Sequence, residues 1–199
     1  MIDLSGKVFV ITGGNGGIGL GMAEGIVMSG GSIVIWGRNE EKNAAAVETL
    51  EALGGRAAAF VCDVADEAQV IDTMTSSRET FGRIDGLFAN AGRGGPGTAF
   101  VDTSLEDWRA VMATNLDGVF LTLREAARVL IDQGEGGSLV AVSSTSAIHG
   151  AQRNHAYASS KTALFSVWKT AQLACAPSSL KSSCEAAIPS ECRNWFVFE

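Results

Sequence analysis

Tyrosine occurs once in these 199 residues, histidine twice and proline three times, and each scarcity narrows what the chain can do. His149 and His155 have no acidic neighbour in sequence that would complete a ligand set, which argues against a metal hydrolase. They are expected on the surface or in a substrate loop. The four cysteines, Cys62, Cys175, Cys184 and Cys192, contain no C-x-x-C pair, so neither a zinc knuckle nor a dithiol redox motif is indicated. Reduced thiols are the expectation. Basic side chains are also short, with 15 Lys and Arg against 22 Asp and Glu, a net charge of −7. Nucleic acid and anionic membrane both demand a basic face, so neither is an expected partner. No apolar run approaches the roughly 18–20 residues of a membrane span. The start, Met1-Ile2-Asp3-Leu4, has no basic n-region and does not read as a secretory signal, so the cytoplasm is the expected compartment.

Glycine, by contrast, is abundant. There are 24, ten of them within residues 1–31, and the last is Gly150. At 46% hydrophobic and 19% charged residues the chain can fill one packed domain. Val8-Phe9-Val10-Ile11 is short, apolar and β-branched, as a buried parallel strand should be. It enters a glycine-rich turn and then a helical stretch to about Ser29. Strands follow at 33–36, 57–61, 84–89 and 138–142. Helices are expected at 39–53 with Asn39 as N-cap, at 66–80, at 104–132 with a break near Asn115, and at 155–175. Strands and helices alternating at this spacing specify an α/β fold, a Rossmann-type doubly wound parallel sheet in three α/β/α layers. Residues 1–176 read as one dinucleotide-binding and catalytic domain and 177–199 as an atypical tail.

Gly13, Gly17 and Gly19 fall between the first strand and the first helix. There a tight turn is needed and helix amides can meet a pyrophosphate. Glycine turns without a ligand are common, but this strand-before, helix-after context favours a dinucleotide site. No Lys-Ser or Lys-Thr follows the last glycine, which excludes the NTPase type of loop. Tyr157 and Lys161 are four residues apart and share a helix face, so the ammonium can sit beside the phenol. A phenol is a poor acid–base group at neutral pH unless something such as a buried cation stabilises phenolate.

The run Thr12-Gly13-x-x-x-Gly17-x-Gly19 is followed in order by Cys62-Asp63-Val64, Asn90-Ala91-Gly92, Asn115, Ser144 and Tyr157-Ala158-Ser159-Ser160-Lys161. In motif order and spacing, from Lys7 to about Ala174, the chain resembles the short-chain dehydrogenase/reductase family. The resemblance implies hydride transfer between a nicotinamide cofactor and an alcohol or ketone. It implies Tyr157 as general acid, Ser144 as hydrogen-bond donor to the carbonyl oxygen, and Lys161 as the cation that lowers the tyrosine pKa and holds the ribose. Asn115 is expected to anchor a relay water, or else simply to kink its helix. Cofactor contacts are expected from Gly13, Asn15, Gly17, Ile18, Gly19, Arg38, Asp63, Val64, Asn90, Ala91, Gly92, Tyr157 and Lys161. Among these Asp63 is expected to accept from the adenine amino group, or to cap the next loop, and Asn90 to brace the central strands. In this fold a carboxylate at the end of the second strand reads the ribose 2′-hydroxyl. Here that stretch is Trp36-Gly37-Arg38, with no carboxylate and a guanidinium instead, so NADP is the preferred cofactor and NAD the alternative.

After the Tyr-Lys helix the family's sixth strand, substrate-covering segment and seventh strand are not recognisable. Residues 175–192 instead crowd together three of the cysteines and five serines. This reads as a truncated or replaced segment, with Trp195-Phe196-Val197-Phe198 as a substitute edge strand or the tail disordered. Two functions follow: an oxidoreductase, or a catalytically impaired nucleotide-binding or interaction protein on the same frame. Helices 104–132 and 155–175 pair across a two-fold axis in the family, so a homodimer is expected, without the tetramer contact made by the last strand.

Overall fold

A computed structural model describes residues 2–175 and 195–197. In chain order the elements are β1 (Val8–Thr12), α1 (Gly17–Met28), β2 (Ser32–Gly37), α2 (Glu40–Ala52), β3 (Ala57–Val61), α3 (Glu67–Phe81) and β4 (Gly86–Ala89). A short 3-10 turn (Phe100–Asp102) leads to α4 (Leu105–Met112), a π-turn (Ala113–Asp117) and α5 (Gly118–Gln133). Then come β5 (Ser138–Val142), α6 (Ser146–His149), α7 (His155–Cys175) and β6 (Trp195–Val197). The helix starts are written in the sequence. Asn39, Asp66 and Ser104 cap α2, α3 and α4, each accepting a backbone N–H three residues on.

The six strands form one parallel sheet in the order β3-β2-β1-β4-β5-β6. Alternate residues of each strand feed opposite layers. Val8, Val10, Val34, Trp36, Leu87 and Leu139 pack on one face with Val70 and Met74 of α3, Leu123 and Ala126 of α5, and Leu164 of α7. Ile11, Ile33 and Ile35 pack on the other with Ala23, Ile26 and Val27 of α1 and Ala46 and Leu50 of α2. Of the 177–199 segment only Trp195–Val197 lies within the described residues. Those three align with Val140, Ala141 and Val142, so β6 covers the β5 edge as a parallel strand.

Two boundaries differ from expectation. The fourth strand begins at Gly86 and not at Ile84, because the Gln133 side chain takes both backbone groups of Ile84, at 3.0 and 2.7 Å. The segment after β5, expected as loop, carries the one-turn helix α6.

At the amino ends of the strands Asp85 accepts from Lys7 Nζ at 3.0 Å, the Val8 N–H at 2.9 Å and the Arg83 guanidinium at 2.6 and 2.8 Å. Burial alone would raise this carboxyl. The hydrogen bonds from Arg83, Val8 and Lys7 outweigh it and hold Asp85 below the usual carboxylate range.

Candidate active site

Strand order reverses at β1, with β2 and β3 to one side and β4 and β5 to the other, and ligands in open α/β sheets bind beyond the carboxyl ends of the strands at such a point. A cavity of about 430 Å³ opens there. Its wall brings together Gly13, Asn15, Ile18, Gly19, Arg38, Val64, Asn90, Ala91, Gly92, Tyr157 and Lys161 of the expected site. Gly17, Asp63, Asn115 and Ser144 are not in the wall.

The β1–α1 loop is shaped for an anion. A Cβ at Gly19 would lie 2.6 Å from Asn90 Nδ2, so only glycine lets the helix start approach the β4 end this closely. A Cβ at Gly16 would meet nothing within 4 Å and would take up cavity space. α1 has no side-chain cap and no acidic residue in its first turn, whereas α2, α3 and α4 have both. Its leading amides are left for a ligand at the positive end of the helix dipole. These residues fit the pyrophosphate of a dinucleotide.

Polar side chains clamp the strand ends around this loop. Thr12 Oγ1 accepts from the Asn90 and Ala91 N–H groups, both at 3.0 Å. Asn90 Nδ2 donates back to the Thr12 and Gly13 carbonyls at 3.0 and 3.3 Å, the bracing role expected of it. At the end of β2, Asn43 Nδ2 donates to the Gly37 carbonyl at 2.8 Å, and Asn15 Nδ2 donates to Asn43 Oδ1 at 2.7 Å. A Cβ on Gly37 would lie 2.5 Å from Asn43 Oδ1, with the Asn15 amide closer still. Arg38 is 64% exposed and its guanidinium stands 3.8 Å from Asp63 Oδ2. Asp63 Oδ1 accepts from the Ala65 N–H at 3.1 Å, so its carboxylate caps the following turn, the second of its two expected roles. Between them Cys62 is buried in the cavity wall. Desolvation, reinforced by Asp63 and Asp66 against a hydrogen bond with Thr73, pushes its thiol up to about 11, so it stays neutral and unreactive. It is a free thiol, and the side chains of Cys175, Cys184 and Cys192 lie outside the described residues.

Buried polar groups crowd the other end of the cavity. Lys161 is 2% exposed, donates from Nζ to the Val142 carbonyl at 2.7 Å, and lies 5.7 Å from the centre of the Tyr157 ring. Asn115 is fully buried in the π-turn. Its Nδ2 donates to the Arg93 carbonyl at 3.0 Å and Ser160 Oγ at 3.1 Å, and its Oδ1 accepts from the Arg93 N–H at 2.8 Å. The Asn115 side chain is thus occupied by protein, except for one lone pair of Oδ1. The π-turn bears out the break expected at this residue. Ser144 is buried at the end of β5, where its Oγ accepts from the Ser146 N–H at 3.2 Å. That bond leaves the hydroxyl hydrogen uncommitted.

Three supports were not picked out in the sequence. Ser143 Oγ donates to the Lys161 carbonyl at 3.0 Å, Ser160 Oγ donates to the Tyr157 carbonyl at 2.7 Å, and Asn154 Oδ1 accepts from the Gly95 N–H at 2.9 Å. Ser143 adjoins Ser144 and Ser160 lies within the Tyr157–Lys161 run, though neither was given a role; Asn154 carried no sequence signal. His155 packs edge-on to Phe100 with ring centres 5.0 Å apart. Among the described residues no cluster of three potential ligands could hold a metal, and no helix is long and apolar enough to cross a membrane.

The described geometry is that of a nicotinamide-dinucleotide fold, and comparison with known proteins agrees. A model of the short chain dehydrogenase family matches residues 7–188, past Ala174, where the recognisable motifs end. The 2,5-dichloro-2,5-cyclohexadiene-1,4-diol dehydrogenase of Sphingobium indicum is 34% identical over 171 residues, covering 86% of this chain and 67% of that one. The L-rhamnose 1-dehydrogenase (NAD(P)(+)) of Sphingomonas sp. is 33% identical over 187 residues, covering 94% and 72%. The crystal structure of NAD⁺-bound xylitol dehydrogenase superimposes with a TM-score of 0.85 at 34% identity, covering 87% of this chain and 66% of that one. This chain belongs to the short-chain dehydrogenase family, a family of NAD(P)-dependent oxidoreductases. It spans about two thirds of the length of the relatives it matches.

Proposed function

We propose that the chain is an oxidoreductase that prefers NADP(H) and interconverts a small secondary alcohol and its ketone through Ser144, Tyr157 and Lys161. The observation that carries this reading is the buried Lys161, held by the Val142 carbonyl and sharing one cavity wall with Tyr157 and the glycine loop. The cofactor, when bound, supplies or accepts the hydride. The β1–α1 loop and the start of α1 would hold its pyrophosphate, with Asn90, Ala91 and Gly92 in the same cavity wall as Lys161. Tyr157 Oη holds the proton that the substrate oxygen gains on reduction and loses on oxidation. The Ser144 hydroxyl donates to the same oxygen and stabilises charge developing there, a donor already fixed by its bond from Ser146. Lys161 supplies positive charge beside the phenol and donors for ribose hydroxyls. Arg38, with no carboxylate at Gly37, supports a 2′-phosphate over a bare hydroxyl.

Turnover of a ketone panel with NADPH, alongside Kd values for NADP and NAD, tests both parts. Turnover with tighter NADP binding is expected. Tighter NAD binding overturns the cofactor preference. Binding without turnover would move the chain to the alternative, an impaired nucleotide-binding protein on this frame. We further propose a cytoplasmic homodimer packed through α4, α5 and α7, to be read as a dimer mass by light scattering; a tetramer would contradict it.

A further inference from the structure

Among the described residues the cavity wall carries three cationic side chains, Arg38, Arg93 and Lys161, and no carboxylate, in a chain whose net charge is −7. Two of the three are accounted for. Arg38 stands near Asp63, and Lys161 is buried with its Nζ on Val142. Arg93 is exposed, and no ion pair among the described residues includes it.

An exposed arginine on a loose loop is ordinarily a solvated charge. This one stands on fixed backbone. Asn115 holds both its N–H and its carbonyl, and two residues on, Asn154 of the α7 start holds the Gly95 N–H. The loop lies at the Lys161 end of the cavity: a Cβ on the preceding Gly92 would be 3.4 Å from Asn115 Oδ1 and 3.6 Å from Lys161 Nζ. The anion-binding start of α1 and Arg38 serve the opposite, β1–β2 side. A guanidinium on a pinned backbone, in the same cavity wall as Tyr157 and without an anionic partner among the described residues, matches a carboxylate in charge and in its paired-donor geometry.

We propose that Arg93 is a specificity-determining residue that selects substrates carrying a carboxylate, so that the alcohol or ketone is a hydroxy or keto acid. This deepens the oxidoreductase reading and rests on it for the position of the reacting oxygen.

The test is a calorimetric titration of 4-oxopentanoate and of its methyl ester into protein saturated with NADP⁺, where no turnover occurs, repeated without cofactor and for Arg93→Gln and Arg93→Lys. A charge-assisted contact should favour the acid roughly 10- to 100-fold. That preference should fall with added salt, shrink in Arg93→Lys, and collapse to about one in Arg93→Gln. An acid-to-ester ratio of one in the unaltered protein, or a ratio kept in Arg93→Gln, would overturn the assignment. So would a loss in Arg93→Gln that appears only in NADP⁺ affinity, since Arg93 would then serve the cofactor. If NADP⁺ itself fails to bind, the oxidoreductase reading falls, and the ratio measured without cofactor still decides the role of Arg93.

Discussion

The two ends of the cavity are built on different plans. Toward β2 and β3 the buried Asn43 holds the backbone, but the Arg38 side chain is 64% exposed and 3.8 Å from its partner, a contact that water screens and that holds little in place. Toward β5 and α7, Asn115 and Lys161 are at most 2% exposed and hydrogen-bonded to protein, and Asn115 reaches Tyr157 through Ser160. A buried polar network of this kind fixes geometry, because every alternative leaves a donor or acceptor without a partner. The contrast separates two tasks. Under the proposed function, proton transfer, which tolerates little misplacement, would fall to the rigidly supported end, and the reading of the cofactor's 2′ position to a side chain, Arg38, that can change without disturbing the core.

The largest effect should come from the buried end. Tyr157→Phe removes one oxygen and should lower turnover by roughly 10³-fold or more, leaving the cofactor Kd near its original value. Lys161→Ala should lose turnover to a similar degree and weaken cofactor binding as well. Stopped-flow absorbance and a fluorescence titration separate the two; Tyr157→Phe with full turnover would remove the tyrosine from the mechanism.

Asn115→Ala comes next. It leaves the Arg93 backbone groups unpaired in a partly buried setting and should cost about 1–3 kcal/mol in denaturant unfolding, with activity falling as well. A loss below about 0.5 kcal/mol, the scale of a neutral surface change, would mean that the network does not fix the site.

The Asp85 cluster asks whether such connectivity is peculiar to the cavity, since it lies at the opposite ends of the strands. Its carboxyl is held below the ordinary value, so the stability it contributes is present above the unfolded pKa, near 4, and is lost as pH falls through the folded value. Asp85→Asn should cost about 1–3 kcal/mol at pH 7 and flatten the acid limb of the Tm–pH curve. An unchanged acid limb would assign acid sensitivity to other carboxylates.

The smallest effect is expected at the exposed end. Arg38→Gln should weaken NADP binding by about tenfold, the scale of one charge-assisted hydrogen bond, and scarcely alter NAD binding. Equal losses for both cofactors would show that Arg38 does not read the 2′ position.

The same contrast governs how much was legible in the sequence. Regular elements announced themselves, because the apolar runs of β3 and β5 and the caps Asn39, Asp66 and Ser104 act over a few residues. The π-turn at Asn115 was visible as a polar break in a long amphipathic stretch. Tyr157 and Lys161 followed from helical spacing and motif order. What escaped depends on groups distant in sequence. Gln133 capturing Ile84 from 49 residues away shortened β4. Asn154 reaches Gly95 across 59 residues, and no local pattern marks either partner. For Asp63, the cap on the following turn was foreseen as one of two roles, whereas its approach to Arg38 joins two strand ends and had no local sign.

The filled space beside Gly37 has an evolutionary consequence. Acquiring the acidic side chain that would favour NAD at this position is a single-codon change, yet the new Cβ collides with the paired amides of Asn15 and Asn43. Both colliding atoms are the far ends of side chains, so accommodation means turning the Asn15 and Asn43 amides aside and giving up the bond between them. A directed-evolution library that varies 15, 37 and 43 together should therefore yield more NAD-preferring variants than one that varies position 37 alone.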